Sequence, residues 1–236
     1  IQIFNSNANI DKSNIICNSA FFGGGIGSVN SNITLSNITI SENICDCSNS
    51  DQWECANDGC GGGIYINGGY YEFLDECMIS SVTSTNSIIW GNSPESIYYY
   101  EIDDDECIDP EVTAIIYSDI EGGWEGEGNI DADPLFTDPE NDDYTLQEGS
   151  PCIDVGTADI NGDGVDEIID YIGTAPDMGA FEFGESFEII AGDTNFDGIV
   201  DILDIVRIVN QIMGNSEFHD DEFMVADFNA DSIVDI

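Results

Sequence analysis

The chain repeats itself, and this restricts its fold more than its length or composition does. Ile1-Gln-Ile-Phe-Asn-Ser-Asn7, with Ile10, Ile15 and Asn18 after it, returns as Ile26-Gly-Ser-Val-Asn-Ser-Asn32, with Leu35, Ile40 and Asn43 after it, at a constant offset of 25. Ile64-Tyr-Ile-Asn-Gly-Gly-Tyr70, followed by Phe73 and Met78, reads as a third copy at an offset of 38, which is 25 plus an insert of 13. Three glycines introduce each of the later copies: Gly23, Gly24 and Gly25, then Gly61, Gly62 and Gly63. A fixed period of this length points to a solenoid. The alternating Ile, Leu and Thr of residues 32–40 mark strands, and Gly and Asn at recurrent positions mark tight corners where positive φ is tolerated. Strands stacked with one coil per repeat form a parallel β-helix, in which each coil buries its inner face only against its neighbours. Asn recurring at equivalent positions is expected to stack as a hydrogen-bonded ladder. The competing reading is a β-sandwich with accidental internal similarity. Residues 86–92 and 113–119 read as strands of further turns. The expected fold class is therefore all-β, a parallel β-helix over 1–183, then a linker at 184–190 and a small helical module at 191–236.

Charge narrows the function. Two basic residues, Lys12 and Arg207, face 49 acidic ones, for a net charge of −47. Such a surface repels nucleic acid and anionic membranes, both of which require Lys and Arg to replace counterions. It attracts cations and suits a salty medium. With 42% hydrophobic residues the chain has the material for a core. No apolar run approaches the ~20 residues of a membrane helix, so no membrane insertion is expected. No signal peptide is visible, and residue 1 falls inside a repeat, so a preceding segment is expected.

Eight cysteines are present, four of them (Cys45, Cys47, Cys55 and Cys60) in the insert at 44–60. Disulfides of an exported protein, a metal cluster and inert thiols all remain open for them. The spacing lacks the Cys-x2-4-Cys pairs of zinc sites, and no His is near.

The chemistry is concentrated in three acidic loops. In the first, Asp193, Asn195, Asp197, Asp201 and Asp204 place oxygen side chains at positions 1, 3, 5, 9 and 12, with Gly198 at 6 and the Ile199 carbonyl at 7. This is the EF-hand ligand order, with Asp for Glu at the last position, and its hard oxygens suit calcium. A second loop has Asp227, Asn229, Asp231, the Ile233 carbonyl and Asp235, with Ser232 where Gly is usual. A third lies earlier: Asp159, Asn161, Asp163, the Val165 carbonyl, Glu167 and Asp170, with Gly164 at position 6. It has no flanking helix pattern, so it reads as an isolated calcium loop within 159–170. After the first loop, Ile202, Leu203, Val206, Val209, Ile212 and Met213 follow helical spacing up to Gly214.

Two resemblances follow from these residues. Gly-Gly-Gly-Ile repeats, the segment Asp131-Ala-Asp-Pro-Leu-Phe136 and the segment Asp177-Met-Gly-Ala-Phe-Glu182 resemble right-handed parallel β-helix surface proteins of the pectin-lyase-like superfamily. That resemblance covers residues 1–183 and implies a right-handed coil and an extracellular or cell-surface location. It does not imply one activity, because the fold hosts many. The loop pair in 191–236, 34 residues apart and preceded by Ala-Gly-Asp, resembles a dockerin type I repeat. This implies docking onto a cohesin-bearing scaffold protein, with calcium as the cofactor. Dockerins often carry Ser or Thr at loop positions 10 and 11, where this chain has Ile202 and Leu203.

For catalysis the sequence is thin, and no catalytic residue is assigned. The lyase relatives use Arg or Lys as base and carboxylate clamp, and 1–183 offers only Lys12. The Gly-His-Gly and Arg-x-Lys motifs of the polygalacturonase relatives are absent. A carboxylate pair drawn from Asp103, Asp104, Asp105 and Glu106, or from Asp119 and Glu121, would suit glycoside hydrolysis, but a solvated acidic loop explains these residues as simply. Aromatics such as Trp90, Tyr98 and Tyr99 would serve sugar stacking or the core equally. The expected function is a secreted or cell-surface, calcium-stabilised β-helix protein binding a partner protein or a neutral polysaccharide. The alternative is a dockerin-bearing glycoside hydrolase or polysaccharide lyase.

Overall fold

The computed structural model describes residues 1–46, 61–71, 76–78, 80–101, 113–184, 191–192, 194, 199–214, 218, 223, 225–227 and 234; for 68–71, 76–78, 100–101 and 113 it describes the backbone alone. The chain divides into two compact units, Ile1–Gly184 and Glu185–Ile236. The described residues are mostly β, with parallel sheets and one described α-helical element.

The strands are β1 (Gln2–Phe4), β2 (Asn7–Ile16), β3 (Ser19–Ala20), β4 (Ile26–Val29), β5 (Asn32–Ser41), β6 (Ile44–Cys45), β7 (Ile64–Tyr71), β8 (Glu76–Met78), β9 (Ser81–Thr85), β10 (Ile88–Trp90), β11 (Ile97–Glu101), β12 (Thr113–Ile116), β13 (Asp119–Ile120), β14 (Phe136–Asp138) and β15 (Asp143–Leu146). Strands β1, β4, β7 and β11 adjoin in one sheet, and β12, β9, β5, β10 and β13 follow one another in a second, with β2 beside β5. The pairings between copies are parallel, and the repeat sets their register. Asn7 lies against Asn32, Ile15 against Ile40 and Gln2 against Gly27, each 25 residues on.

The third copy departs from the expected alignment. Ile26 does pair with Ile64, at the offset of 38, but Asn32 pairs with Ser81 and Ile40 with Ile89, an offset of 49. Strand β8 folds back antiparallel on β7, Gly69 against Met78, so the extra residues leave the stack as a hairpin. Met78 therefore does not stand where Ile40 stands in the second copy. Residues 86–92, expected to open a further turn, complete the third copy instead. The fourth copy follows, with Ile97 on Ile64 and Asp119 on Ile88.

The corners also keep register. Lys12, Asn37, Asn86 and Tyr117 occupy successive equivalent positions, and all have positive φ. Gly23 and Gly61 both have φ +58, and a Cβ there would stand 2.2 and 2.4 Å from the carbonyl oxygens of Ile26 and Ile64, so no side chain fits.

Two apolar layers result. Inward residues stack in columns; Ile15, Ile40, Ile89 and Ile120 form one across four adjoining strands and are almost wholly buried. Each such burial contributes about 1.5–3 kcal/mol before entropy is charged. Ile88 points the other way from Ile89, as strand geometry requires, and lies in a second cluster with Leu146, Cys152 and Met178. Residues 130–183 thus cover the outer face of the second sheet. Gly179 N–H donates to Asn86 O at 2.9 Å and Ala180 N–H to Thr39 Oγ1 at 3.1 Å.

The expected asparagine ladder is present. Asn43 Oδ1 accepts from Asn18 N and Nδ2 at 3.0 and 2.9 Å, and Asn92 Oδ1 accepts from Asn43 N and Nδ2, both at 3.0 Å.

In the second unit the helix α1 spans Ile202–Ile212. Gly214, at φ +70, follows its last turn, as the spacing predicts. Among the described residues, no helix is long and apolar enough to cross a membrane. Of the cysteines, Cys45 is disulfide-bonded, while Cys17 and Cys152 are free. The rest of the cysteine-rich insert, 47–60, lies outside the described residues, as do 185–190 of the expected linker.

Candidate metal centre

The 159–170 loop is described throughout. Asp159, Asp163 and Glu167 each bring a carboxylate oxygen within 4.8 Å of the others. The local sequence explains this convergence. Asp159 Oδ1 accepts from the amides of Gly162 (2.7 Å) and Asp163 (3.1 Å), and Oδ2 from that of Gly164 (2.8 Å). Such a tight wrap requires positive φ, and Gly162 and Gly164 supply it at +72 and +86. Asn161 Oδ1 accepts from Asp163 N at 2.9 Å, and Asp163 Oδ1 from Val165 N at 2.9 Å. Glu167 closes the loop: its carboxylate accepts from Ile160 N at 2.9 Å and Asn161 Nδ2 at 2.6 Å. The three carboxylates that converge are hard oxygen donors; Asn161 Oδ1 and the Val165 carbonyl, expected at positions 3 and 7, are not part of that group. Asp170, expected at position 12, is not in the carboxylate group; no helix follows the loop to carry it round.

The first tail loop is described only in part. Asp193, Asn195 and Asp197 lie outside the described residues, as do Asn229, Asp231, Ile233 and Asp235 of the second loop. Ile199, Asp201 and Asp204 are described. Asp201 is the N-cap of α1, accepting from Leu203 N at 2.7 Å, and Asp204 Oδ2 accepts from Asp201 N at 2.8 Å, which makes a capping box. Asp204 is fully buried, and its Oδ1 accepts from Thr194 N at 2.7 Å. The loop's second position is thereby tied to the start of the helix. Of the second loop, Asp227 N–H donates to Phe223 O at 2.9 Å.

Of the acidic residues weighed for catalysis, Asp119 and Glu121 stand in different settings. Asp103 to Glu106 lie outside the described residues. Glu121 is exposed and accepts from Gly91 N at 2.8 Å. Asp119 is fully buried; it accepts from Ala132 N at 3.1 Å and from the Cys152 thiol at 3.2 Å. Burial pushes its carboxyl up to about 6 and pushes the Cys152 thiol well up too. Sequence reasoning missed this pair, which joins residues 33 apart in the chain.

Further acids secure the cover. Asp154, held low by the backbone amides of Thr174 and Ala175, organises that turn, and Asp177 accepts from Asp154 N at 2.7 Å. Burial raises Asp177. The aromatics are partly spent on each other: the rings of Phe22 and Tyr65 lie 5.0 Å apart, and those of Tyr65 and Tyr98 6.0 Å.

No family model matches the sequence, and no curated protein matches it. Among solved structures, the crystal structure of pectate lyase Pel9A is a weak match, with a TM-score of 0.35 and 12% identity over 77% of this chain. The match spans 59% of the length of that protein.

Proposed function

We propose that the chain is an extracellular or cell-surface protein in which a right-handed parallel β-helix is stabilised by calcium and binds a neutral glycan or a partner protein, with 191–236 serving as a dockerin-like attachment to a cohesin-bearing scaffold. The observation that carries this is the 159–170 loop, where EF-hand phasing in the sequence coincides with carboxylates of Asp159, Asp163 and Glu167 within 4.8 Å of one another. The coil-on-coil reading is supported by four copies pairing in parallel on two sheets. A neutral rather than anionic glycan follows from charge, since Lys12, exposed on β2, is the only fixed cation in Ile1–Gly184. No arginine stands in that unit to clamp a uronate carboxylate.

Calorimetric titration of the full chain with calcium is the test. Heat of binding is expected, reduced by Asp159→Ala at the β unit and by Asp193→Ala at the tail. With calcium at a hundredfold excess over the dissociation constant, each site adds about 2.7 kcal/mol to the unit holding it. No heat at millimolar calcium, together with unchanged melting under chelator, would refute the reading.

A further inference from the structure

We propose that Asp119 is a proton-controlled latch that holds residues 130–183 on the outer face of the second sheet, tight when its carboxyl is protonated and loosened when it ionises. The position is unusual for an acid. Its register partner on β10 is Ile88, and a parallel bridge ties Asp119 to Ile130 on its other side. Its side chain is fully buried beside an apolar cluster of Ile88, Leu146, Cys152 and Met178. Both carboxyl oxygens are bonded to the cover: Oδ1 to the Ala132 amide and Oδ2 to the Cys152 thiol.

The ionised form has little to hold it there. A buried carboxylate is stable when paired with a cation, and the unit Ile1–Gly184 contains only Lys12, which is exposed on β2. The charged groups that do face Asp119 are acids. Asp131 and Asp133 press on it from the segment after the bridge, and Asp177 acts on its thiol partner from the far end of the cover. Strand β10 presents only apolar side chains. One amide and one weak thiol donor do not replace the water that an ion gives up. A neutral carboxyl avoids that cost: its carbonyl oxygen keeps the Ala132 amide, and its hydroxyl turns to donate to the Cys152 sulfur.

The sign follows from linkage. With the cover closed, the carboxyl holds its proton up to a pH of about 6; with the cover open, it returns to the ordinary value of 3.8. The latch is fully engaged below the ordinary value, is withdrawn as pH rises between the two, and is spent above the upper one.

Amide hydrogen exchange on the full chain, with calcium held constant and intrinsic rates divided out, reads this directly. Between pH 4.5 and 7.5, opening at Ala132 and Met178 should rise on the order of tenfold or more relative to β5. Asp119→Asn keeps the acceptor without the charge, so it should give the low-pH protection at both pH values. Should that variant not fold, Asp177→Asn takes its place, and the wild-type dependence must survive in it. The latch is overturned if cover and β5 change alike in the wild type, if Asp119→Asn keeps the full dependence, or if Asp177→Asn abolishes it.

Discussion

Among the described residues of Ile1–Gly184 the largest fully buried side chains are mainly isoleucines, whereas in those of Glu185–Ile236 the buried residues are Thr194, Asp204 and Val225. Along α1 the apolar residues Ile202, Leu203, Ile205 and Val206 are at least half exposed. The same chain therefore uses two kinds of stabilisation. In the first unit each copy completes its neighbour's core, and cohesion comes from apolar area removed from water. In the second, the described part is organised by oxygen atoms: a capping box, and a buried carboxylate joining loop to helix. Apolar burial opposes the self-repulsion of so acidic a chain without itself depending on charge. In the proposed calcium-bound form, a cation would add to the backbone amides that already hold Asp201 and Asp204.

The largest test of this contrast is Ile40→Ala. Ile40 is fully buried between Ile15 and Ile89, so its loss should cost about 2–5 kcal/mol. All three tryptophans, Trp53, Trp90 and Trp124, lie before Gly184, so their fluorescence in urea follows the first unit alone. Among the described residues the α-helix lies in the second unit, so the helical circular dichroism signal is its reporter. The fluorescence transition should move to lower urea while the helical one stays in place. Joint movement would show that the units unfold together and break the comparison.

Next in size is Asn43→Ala. Asn43 is fully buried, donating to Ile15 O at 2.7 Å and to Asn92 Oδ1, and accepting from Asn18. Truncation strands these partners, at about 1–3 kcal/mol for a buried polar group left unpaired. Asn43→Asp should be at least as damaging, because it exchanges a donor for a charge facing two oxygens. Fluorescence-detected unfolding of both variants is the measurement. A negligible loss in each would mean that water replaces the rung and the columns alone carry the unit.

How much of this was legible in the sequence differs between the units. The offset of 25, the glycine corners and the asparagine ladder could be read directly, because equivalent positions carry the same chemistry. The offset of 49 could not. The hairpin of β7 and β8 carries alternating apolar residues in phase with the repeat, so sequence similarity ran on through it where the stack does not. The burial of Asp119 was hidden because 113–119 reads as a strand of a further turn and its carboxylate as part of a solvated acidic loop. Its register under Ile88 was the one available signal, and that required the corrected alignment. In the tail the order Asp201 to Asp204 was visible as part of a loop, but its use as a capping box depends on where the helix begins. The loop at 159–170 was readable because its glycines and carboxylates are spaced for one local turn, with no distant partner to find.

The smallest effect expected is also the sharpest probe of the tail. Ile205 is 53% exposed on α1, and Ser has a similar helix propensity, so Ile205→Ser changes little except apolar surface. If the face is open to water, the helical signal should melt within about 0.5 kcal/mol of wild type, as surface substitutions do. A neighbour covering Ile205 would turn the same change into a loss of roughly 1–3 kcal/mol, the transfer energy of a buried aliphatic side chain. Measuring both proteins with calcium and with chelator separates two origins for such a loss. If it occurs only with calcium, the ion assembles a cover over the helix from the tail's own residues. If it occurs in both conditions, the tail has an apolar core after all, and the contrast between a unit held by isoleucine columns and one held by oxygen atoms fails.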